Sequence, residues 1–175
     1  LYVCGVNCDP ATATDEMNLT KQTWGKEGGI LAFHAYQSFS PGECTAAEAH
    51  KIGVELVQRL RGERFQVVVA THVDRGHLHN HFVLNAVSFV DGKRYYDQKQ
   101  TYYSGLRKGS DNLCREHGKS VIEQPQGRGK ITEPTWTSSP GTPPCVLSSR
   151  PTWRRPSALP PPSPPLWSSC GAGDT

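Results

Sequence analysis

THVDRGHLHNHFVLN, residues 71–85, places four of the chain's seven histidines within ten residues. Two apolar runs flank these histidines and are predicted to be consecutive strands: Gln66 to Thr71 and Phe82 to Phe89. His72 lies at the end of the first strand. Because alternate side chains of a strand share a face, His77, His79 and His81 are expected to point the same way as the second strand begins. The stretch therefore predicts a cluster of imidazoles on one face of a sheet.

Between the strands, Asp74, Arg75 and Gly76 favour a tight turn that would bring His72 back beside the other histidines. Imidazole nitrogen is the commonest protein ligand for divalent metals, and three such ligands leave coordination positions open for water or a phosphate oxygen. Histidines at a strand edge can also be solvated and inactive. The convergence of four across one turn favours a catalytic metal site.

The stretch resembles the signature of relaxases, the mobilisation nucleases of conjugative and mobilisable plasmids, which are HUH endonucleases. That signature runs T-H-x-D-x-x-H-x-H-N-H, followed by an apolar run and Asn. The matching residues here are Thr71, His72, Asp74, His77, His79, Asn80, His81 and Asn85. Asn80 departs from the HUH motif, in which a hydrophobic residue stands between the two histidines. Other segments between residues 1 and 130 resemble relaxases as well, so the resemblance extends beyond the motif.

The resemblance implies a ligand set and a set of supporting residues. His72, His79 and His81 would bind one divalent ion, Mg2+ or Mn2+. Residues that would contact DNA or support the ligands are Asp74, Arg75, His77, Asn85, His34, Gln37 and Ser38. Within this set, Asp74 would hydrogen-bond a ligand imidazole and fix its tautomer.

The resemblance also implies an activity. Relaxases are metal-dependent, site- and strand-specific DNA nickases that act on single-stranded DNA at an origin of transfer, in mobilisation or conjugation. Accessory mobilisation proteins and a coupling protein would be further partners. The family cuts with a tyrosine near the N-terminus, on a segment that the resemblance places before Leu1. This chain is therefore expected to lack the nucleophile, with Tyr2 as a weaker candidate, and to form no covalent phosphotyrosine.

Two other functions are compatible with the histidines. One is a histidine-triad nucleotide hydrolase, whose alternating histidines and hydrophobes resemble residues 77–83, although Asn80 breaks that pattern and His72 has no role in it. Loss of activity in a chelator would fit only the relaxase. The other is a catalytically inactive remnant that binds single-stranded DNA.

The rest of the pattern predicts an α+β fold with two layers, a mostly antiparallel sheet carrying helices on one face and histidines on the other. The predicted elements are a short helix within residues 11–28 ended by Gly28-Gly29, a strand from Ile30 to Phe39, a helix from Thr45 to Arg61, a strand from Phe65 to Ala70 buried on both faces, a strand from Phe82 to Val90 leading into an Asp91-Gly92 hairpin, and a helix end from Ser110 to His117. Thr45 and Glu48 form the predicted capping box of the long helix.

Composition limits the remaining possibilities. The chain has 175 residues, a net charge of +3 and a pI near 8.6, which permits binding to nucleic acid without requiring it. It contains neither a signal peptide nor an apolar run long enough to cross a membrane, so the expected location is the cytoplasm. Six scattered cysteines without a CxxC pair are expected to be reduced thiols.

Residues 131–175 differ in character from the relaxase-like core, residues 1–130. They hold 11 of the 14 prolines and eight serines but no lysine. Proline at this density removes backbone donors, so this segment is expected to be disordered, without helix or sheet. It reads like translation in another reading frame.

Overall fold

The computed structural model describes residues 2–74, 77–96, 102–123 and 146–154; the side chains of 74, 102–104 and 146–154 are not among the features described. Within these residues, five strands form one sheet: β1 (Tyr2–Val6), β2 (Ile30–Phe39), β3 (Val67–Asp74), β4 (His77–Asn85) and β5 (Val146–Arg154). Their order is β1-β3-β4-β2-β5, and every neighbouring pair is antiparallel. The strand with the most histidines, β4, is therefore the central one.

In the described part of the chain, three α-helices accompany the sheet: α1 (Ala13–Thr23), α2 (Ala46–Arg61) and α3 (Lys108–Glu116), the last continuing a π-helical segment (Tyr102–Arg107). The capping box is confirmed, since Thr45 accepts from the backbone of Glu48 and the Glu48 carboxylate accepts from the backbone of Thr45. The stripe that α2 buries includes Ala49, Ile52 and Leu56, each at most 4% exposed. Burial of this stripe against the sheet attaches the helix layer.

The core lies between the sheet and α2 with α3. Its strand residues are Val6 from β1, Phe33 and Phe39 from β2, Val67 and Val69 from β3, and Phe82 and Leu84 from β4. Their alternating neighbours point to the opposite face, which these two helices leave open. The α+β architecture with two layers is thus confirmed for α2 and α3.

The short helix α1 lies across one end of the opposite face. The Thr20 hydroxyl donates to the Gln66 side chain at 2.9 Å, and the Asn85 amide donates to the Met17 backbone oxygen at 3.3 Å. Asn85 shares its strand face with His81, so α1 closes the far end of the face that carries the histidines. The helix ends at Thr23, not at Gly28-Gly29, because the chain already reverses at Gly25, where φ is 61°.

Two predicted strands need correction. The residues at 68 and 70 are only half-buried between buried Val67, Val69 and Thr71, so β3 is covered on one face and not on both. β4 begins at His77, because its ladder with β3 extends to the pair Asp74 and His77.

The Asp91-Gly92 turn is present, with Gly92 at φ 65°, but it belongs to a longer loop. That loop closes where the Ser88 N–H donates to the Lys93 oxygen.

The strand β5 falls within residues 131–175, for which no sheet is expected. It pairs with β2 along its length, with Pro151 opposite Phe33. A proline is tolerated there because β5 is the last strand of the sheet, where a missing N–H need not break a ladder on its outer side. The other residues of this segment lie outside the described part of the chain.

Two further expectations can be compared with the described residues. No helix among them is long and apolar enough to cross a membrane. None of Cys4, Cys8, Cys44 and Cys114 forms a disulfide. Reduced thiols were expected, and these four agree with that expectation.

The ammonium of Lys21 is buried in α1. The residue is 4% exposed, and its Nζ donates to the Met17 backbone oxygen at 3.0 Å. Burial, and then the positive charge of Arg94, lowers the pKa of Lys21 to about 8. An unfolded lysine keeps its proton to about pH 10.4. Between about pH 8 and pH 10 the unfolded state therefore binds more protons, and the free energy of unfolding should rise with pH.

Lys21→Met is expected to raise the free energy of unfolding at pH 7 by about 1–3 kcal/mol, because a buried charge is replaced by an apolar group of similar length. The variant should also lack the rise in stability between pH 8 and pH 10. Urea unfolding of the parent and the variant at pH 7, pH 8 and pH 10 measures both effects. Lys51→Met, at an exposed position of α2, is the control and should keep the rise. A Lys21→Met protein with the pH dependence of the parent would contradict the prediction.

Candidate active site

Four histidines of β3 and β4 lie on one face of the sheet. In the ladder His72 is opposite His79, and His77 and His81 follow on the same side of β4. The ring centres of His72 and His81 are 4.6 Å apart, those of His79 and His81 are 6.5 Å apart, and those of His77 and His79 are 6.3 Å apart. The imidazole cluster expected from the strand pattern is therefore present.

The side chains of this cluster are of the type that binds divalent ions, but not all of their rings are close enough together to share one ion. Imidazoles that share one ion hold their ring centres roughly 4.5–5 Å apart, given metal–nitrogen distances of about 2.1 Å. His72 and His81 already have this spacing, whereas His79 must approach His81 by about 1.5 Å. Among the described residues, no three His, Cys, Asp or Glu side chains are arranged to hold a metal as they stand. A closer approach of the His79 and His81 rings is therefore the change that metal binding requires.

Two side chains of β2 contact the histidines of β4. The Ser38 hydroxyl oxygen is 2.9 Å from Nδ1 of His79, and Nε2 of His34 is 3.0 Å from Nδ1 of His81. Both contacts follow from the register: Ser38 is opposite His79, and His34 lies two residues from Tyr36, which is opposite His81, on the same face. His34 and Ser38, expected at the DNA, thus lie beside the ligand candidates.

The electrostatic environment keeps His81 neutral. Burial lowers the pKa of His81 to about 4, with smaller contributions from the nearby His72, His34 and His79. Burial also lowers the pKa of His34. A neutral imidazole has a nitrogen lone pair available, and this is the form that binds metal ions. The ring at the centre of the cluster is therefore in its ligand form at neutral pH.

Gln37 points to the other side of the sheet. It is fully buried, and its amide nitrogen donates to the Ser110 hydroxyl at 2.9 Å. Its side-chain oxygen accepts from the amide of Asn80 at 3.1 Å, and Asn80 also donates to the Ala49 backbone oxygen at 2.6 Å and accepts from the Thr71 hydroxyl at 2.7 Å. Gln37 cannot contact DNA in this position, so of its two expected roles only support of the site remains.

This network accounts for the asparagine between the two motif histidines. Asn80 is fully buried beneath the histidine face and joins β2, β3 and α2 through its hydrogen bonds. Gly53 of α2 allows this, because a Cβ at that position would lie 2.5 Å from the Asn80 amide nitrogen. A hydrophobe at position 80 would remove the Asn80 donor from the Gln37 side-chain oxygen and the Ala49 backbone oxygen, and the acceptor that the Thr71 hydroxyl has at Asn80, so the packing favours the departure from the motif.

The other sequence candidates have varied positions. Asn85 is buried beneath α1, where its amide donates to Gln66 at 2.9 Å, so in this position it cannot contact DNA either. Arg75 and the side chain of Asp74 lie outside the described residues. Tyr2 packs against His50 on the helical side, with ring centres 5.7 Å apart.

Tyr36 is a site residue that the sequence reasoning missed. It lies directly opposite His81 in the ladder between β2 and β4, and it is 36% exposed. The strand alternation already assigns it to the face of His34 and Ser38. An aromatic ring at this position can stack on a nucleotide base.

Comparison with known proteins identifies the family. A family model described as relaxase, MobA/VirD2-like, nuclease domain matches residues 1–119. The chain is similar to protein rlx of Staphylococcus aureus, at 40% identity over 129 residues, which is 74% of this chain and 40% of that protein. It is also similar to the group II intron-interrupted relaxase LtrB of Lactococcus lactis subsp. cremoris, at 30% identity over 143 residues, covering 74% of this chain and 25% of that protein.

The chain spans about a quarter to two fifths of the length of these relatives. No solved structure matches it. The family model nevertheless covers more than half of the chain, and the histidine stretch lies inside the matched residues. The chain therefore belongs to the MobA/VirD2-like relaxases, a family of DNA endonucleases and strand transferases, through its nuclease domain.

Proposed function

We propose that this chain forms the nuclease core of a relaxase that binds single-stranded DNA at an origin of transfer and holds one divalent ion, Mg2+ or Mn2+, through His72, His79 and His81. One observation carries the proposal: the three imidazoles line the same face of β3 and β4, on the side that α2 and α3 leave open. The family match and the relatives named relaxase support the DNA substrate.

A bound divalent ion would withdraw charge from a phosphate oxygen and make the phosphorus easier to attack. The chain's own contribution is to present neutral imidazoles on a face that a nucleotide strand can reach. The low pKa of His81 supports this role, because no proton has to leave that ring before it binds. We assign to His77, whose ring centre is 6.3 Å from that of His79, a contact with the same phosphate or its neighbour.

We place the attacking tyrosine on a segment that precedes Leu1 in the complete protein. The position of Tyr2 supports this placement, because its ring packs against His50 on the helical side and not on the histidine face. Tyr36 does lie on the histidine face. It is therefore the described tyrosine to test as an alternative nucleophile.

A nicking assay on supercoiled DNA that carries the origin tests the proposal. The complete protein is expected to produce open circles and a covalent phosphotyrosine only with Mg2+ or Mn2+, and to stop in EDTA, because the ion stabilises the charge that develops on the phosphate. This chain alone should bind single-stranded origin DNA without forming the covalent product. The Tyr2→Phe and Tyr36→Phe variants of the complete protein should retain the covalent product.

Other outcomes point elsewhere. Covalent product from this chain that disappears in Tyr36→Phe would move the nucleophile to β2. Hydrolysis of nucleotides that is insensitive to EDTA would favour a histidine-triad enzyme, against the family match. DNA binding by the complete protein that neither depends on metal nor leads to cleavage would indicate an inactive DNA-binding remnant.

A further inference from the structure

We propose that Ser38 and His34 are positioning residues that fix the tautomers of His79 and His81, so that both rings present Nε2 to the metal ion. This inference rests on the proposed function, because it assigns a purpose to two side chains beside the proposed ligands. Both would act through the ligand rings and not on the DNA. Of the two roles expected of Ser38 and His34, DNA contact or support of the ligands, this inference assigns the second.

The first support is geometric. The two contacts use the same ring atom, since Ser38 meets Nδ1 of His79 at 2.9 Å and His34 meets Nδ1 of His81 at 3.0 Å. Both supporting side chains come from one strand, and its register with β4 runs without a shift from Ala32 to Phe39. A strand that is paired on both sides, with β4 and with β5, is a rigid base for such contacts.

The second support is that a neutral imidazole has only one N–H donor and one nitrogen lone pair. If His79 and His81 bind the ion through Nε2, the single proton of each ring is on Nδ1. His79 then donates to the Ser38 hydroxyl oxygen, and His81 donates to Nε2 of His34. That assignment requires the proton of His34 to be on its own Nδ1. Every hydrogen bond in this arrangement has a donor and an acceptor.

The third support is the closeness of the rings. His34 and His81 lie nearly parallel, with an interplanar angle of 16° and ring centres 5.2 Å apart. With the two nitrogens 3.0 Å apart, this spacing places the rings nearly in one plane, which is the geometry of a linear N–H···N hydrogen bond and leaves each ring little freedom to rotate. A histidine that binds a metal commonly donates a hydrogen bond from its other ring nitrogen, usually to a carboxylate or a backbone oxygen. Here the acceptors are the Ser38 hydroxyl and a ring nitrogen of His34.

The test uses two measurements on the ¹⁵N-labelled chain and its variants. Long-range ¹H–¹⁵N spectra of the metal-free protein at pH 7.5 report which nitrogen of each imidazole holds the proton. Titration with Mn2+ alone reports affinity. We expect Nδ1–H tautomers at His79 and His81 in the parent. Ser38→Ala and His34→Ala should each weaken Mn2+ binding by roughly 10- to 100-fold, the usual effect of losing such a partner.

Conservative variants separate positioning from packing. Ser38→Thr keeps the hydroxyl, and His34→Gln keeps an acceptor, so both should recover most of the affinity. His117→Ala is the matched control, since that ring hydrogen-bonds Glu55 at 2.9 Å on the helical side of the sheet, and its Mn2+ affinity should equal that of the parent.

Nε2–H tautomers in the parent, or alanine variants that bind Mn2+ within about twofold of the parent, would overturn the inference. A parent chain that binds no Mn2+ would refute the proposed metal site. In that case the spectra still decide the inference: tautomers that shift only in the alanine variants would support it, and unchanged tautomers would overturn it.

Discussion

Replacing Asn80 with leucine is expected to lower the free energy of unfolding by about 3–5 kcal/mol. The side chains are similar in size, so the change removes hydrogen bonds with little change in volume. It leaves the Ala49 oxygen, the Gln37 side-chain oxygen and the Thr71 hydroxyl without the partner they have at Asn80. Each buried polar group left unpaired costs about 1–3 kcal/mol, and the added apolar surface offsets part of that.

A loss of this size is a large part of the 5–15 kcal/mol that typically stabilises a domain. Because His79 and His81 are the neighbours of Asn80 in β4, unfolding around position 80 should also disrupt the histidine cluster. Urea unfolding followed by circular dichroism measures the change. Asn18→Leu, at an exposed position of α1, is the matched control and should change stability by no more than about 0.5 kcal/mol. Equal stability of the Asn80→Leu protein and the parent would show that the network contributes nothing.

The sequence predicts the elements on which the site is built, because the relevant signals are local. Alternation over 77–82 places three histidines on one face, and β2 has the predicted bounds, Ile30–Phe39. The capping box locates the start of α2, since it joins residues three positions apart. Patterns with a period of two or three to four residues can be read in a short window, and they fix which face a side chain occupies.

Burial is harder to predict, because it depends on what packs over a face. Gln37 lies on the same face of β2 as the apolar residues, yet its polar side chain suggests contact with a ligand. Its actual partners, Asn80 and Ser110, are 43 and 73 residues away in sequence. Asn85 has the parity of the open face but lies beneath α1. Hydrogen bonds between distant elements leave no local pattern, so the sequence could not reveal either role.

The partners of the histidines illustrate the same limit. The alternation of β2 places His34, Tyr36 and Ser38 on one face, but only the register with β4 sets Ser38 beside His79. A shift of the register by two residues would keep the faces and exchange the partners. The strand β5 marks another limit, because proline content argues against a sheet and cannot anticipate an edge position beside β2.

His81→Ala is expected to weaken Mn2+ binding by more than about 100-fold, which exceeds the usual effect of losing a supporting residue. His81 is the central ring of the cluster. Its ring centre is 4.6 Å from that of His72, the pair already at the spacing of a shared ion, and it is the ring that His34 contacts. Without it, His72 and His79 remain as two ligands on neighbouring strands, and metal-dependent nicking by the complete protein should disappear.

The matched control is His117→Ala. That ring is also half-buried, and it hydrogen-bonds Glu55 at 2.9 Å on the helical side of the sheet. Its removal should leave Mn2+ affinity unchanged. Thermal unfolding of both variants separates a lost ligand from a damaged fold, because a half-buried surface imidazole contributes little to stability. Parent-like Mn2+ affinity in a folded His81→Ala protein would remove His81 from the ligand set, and the proposed ion would have to lie elsewhere on this face.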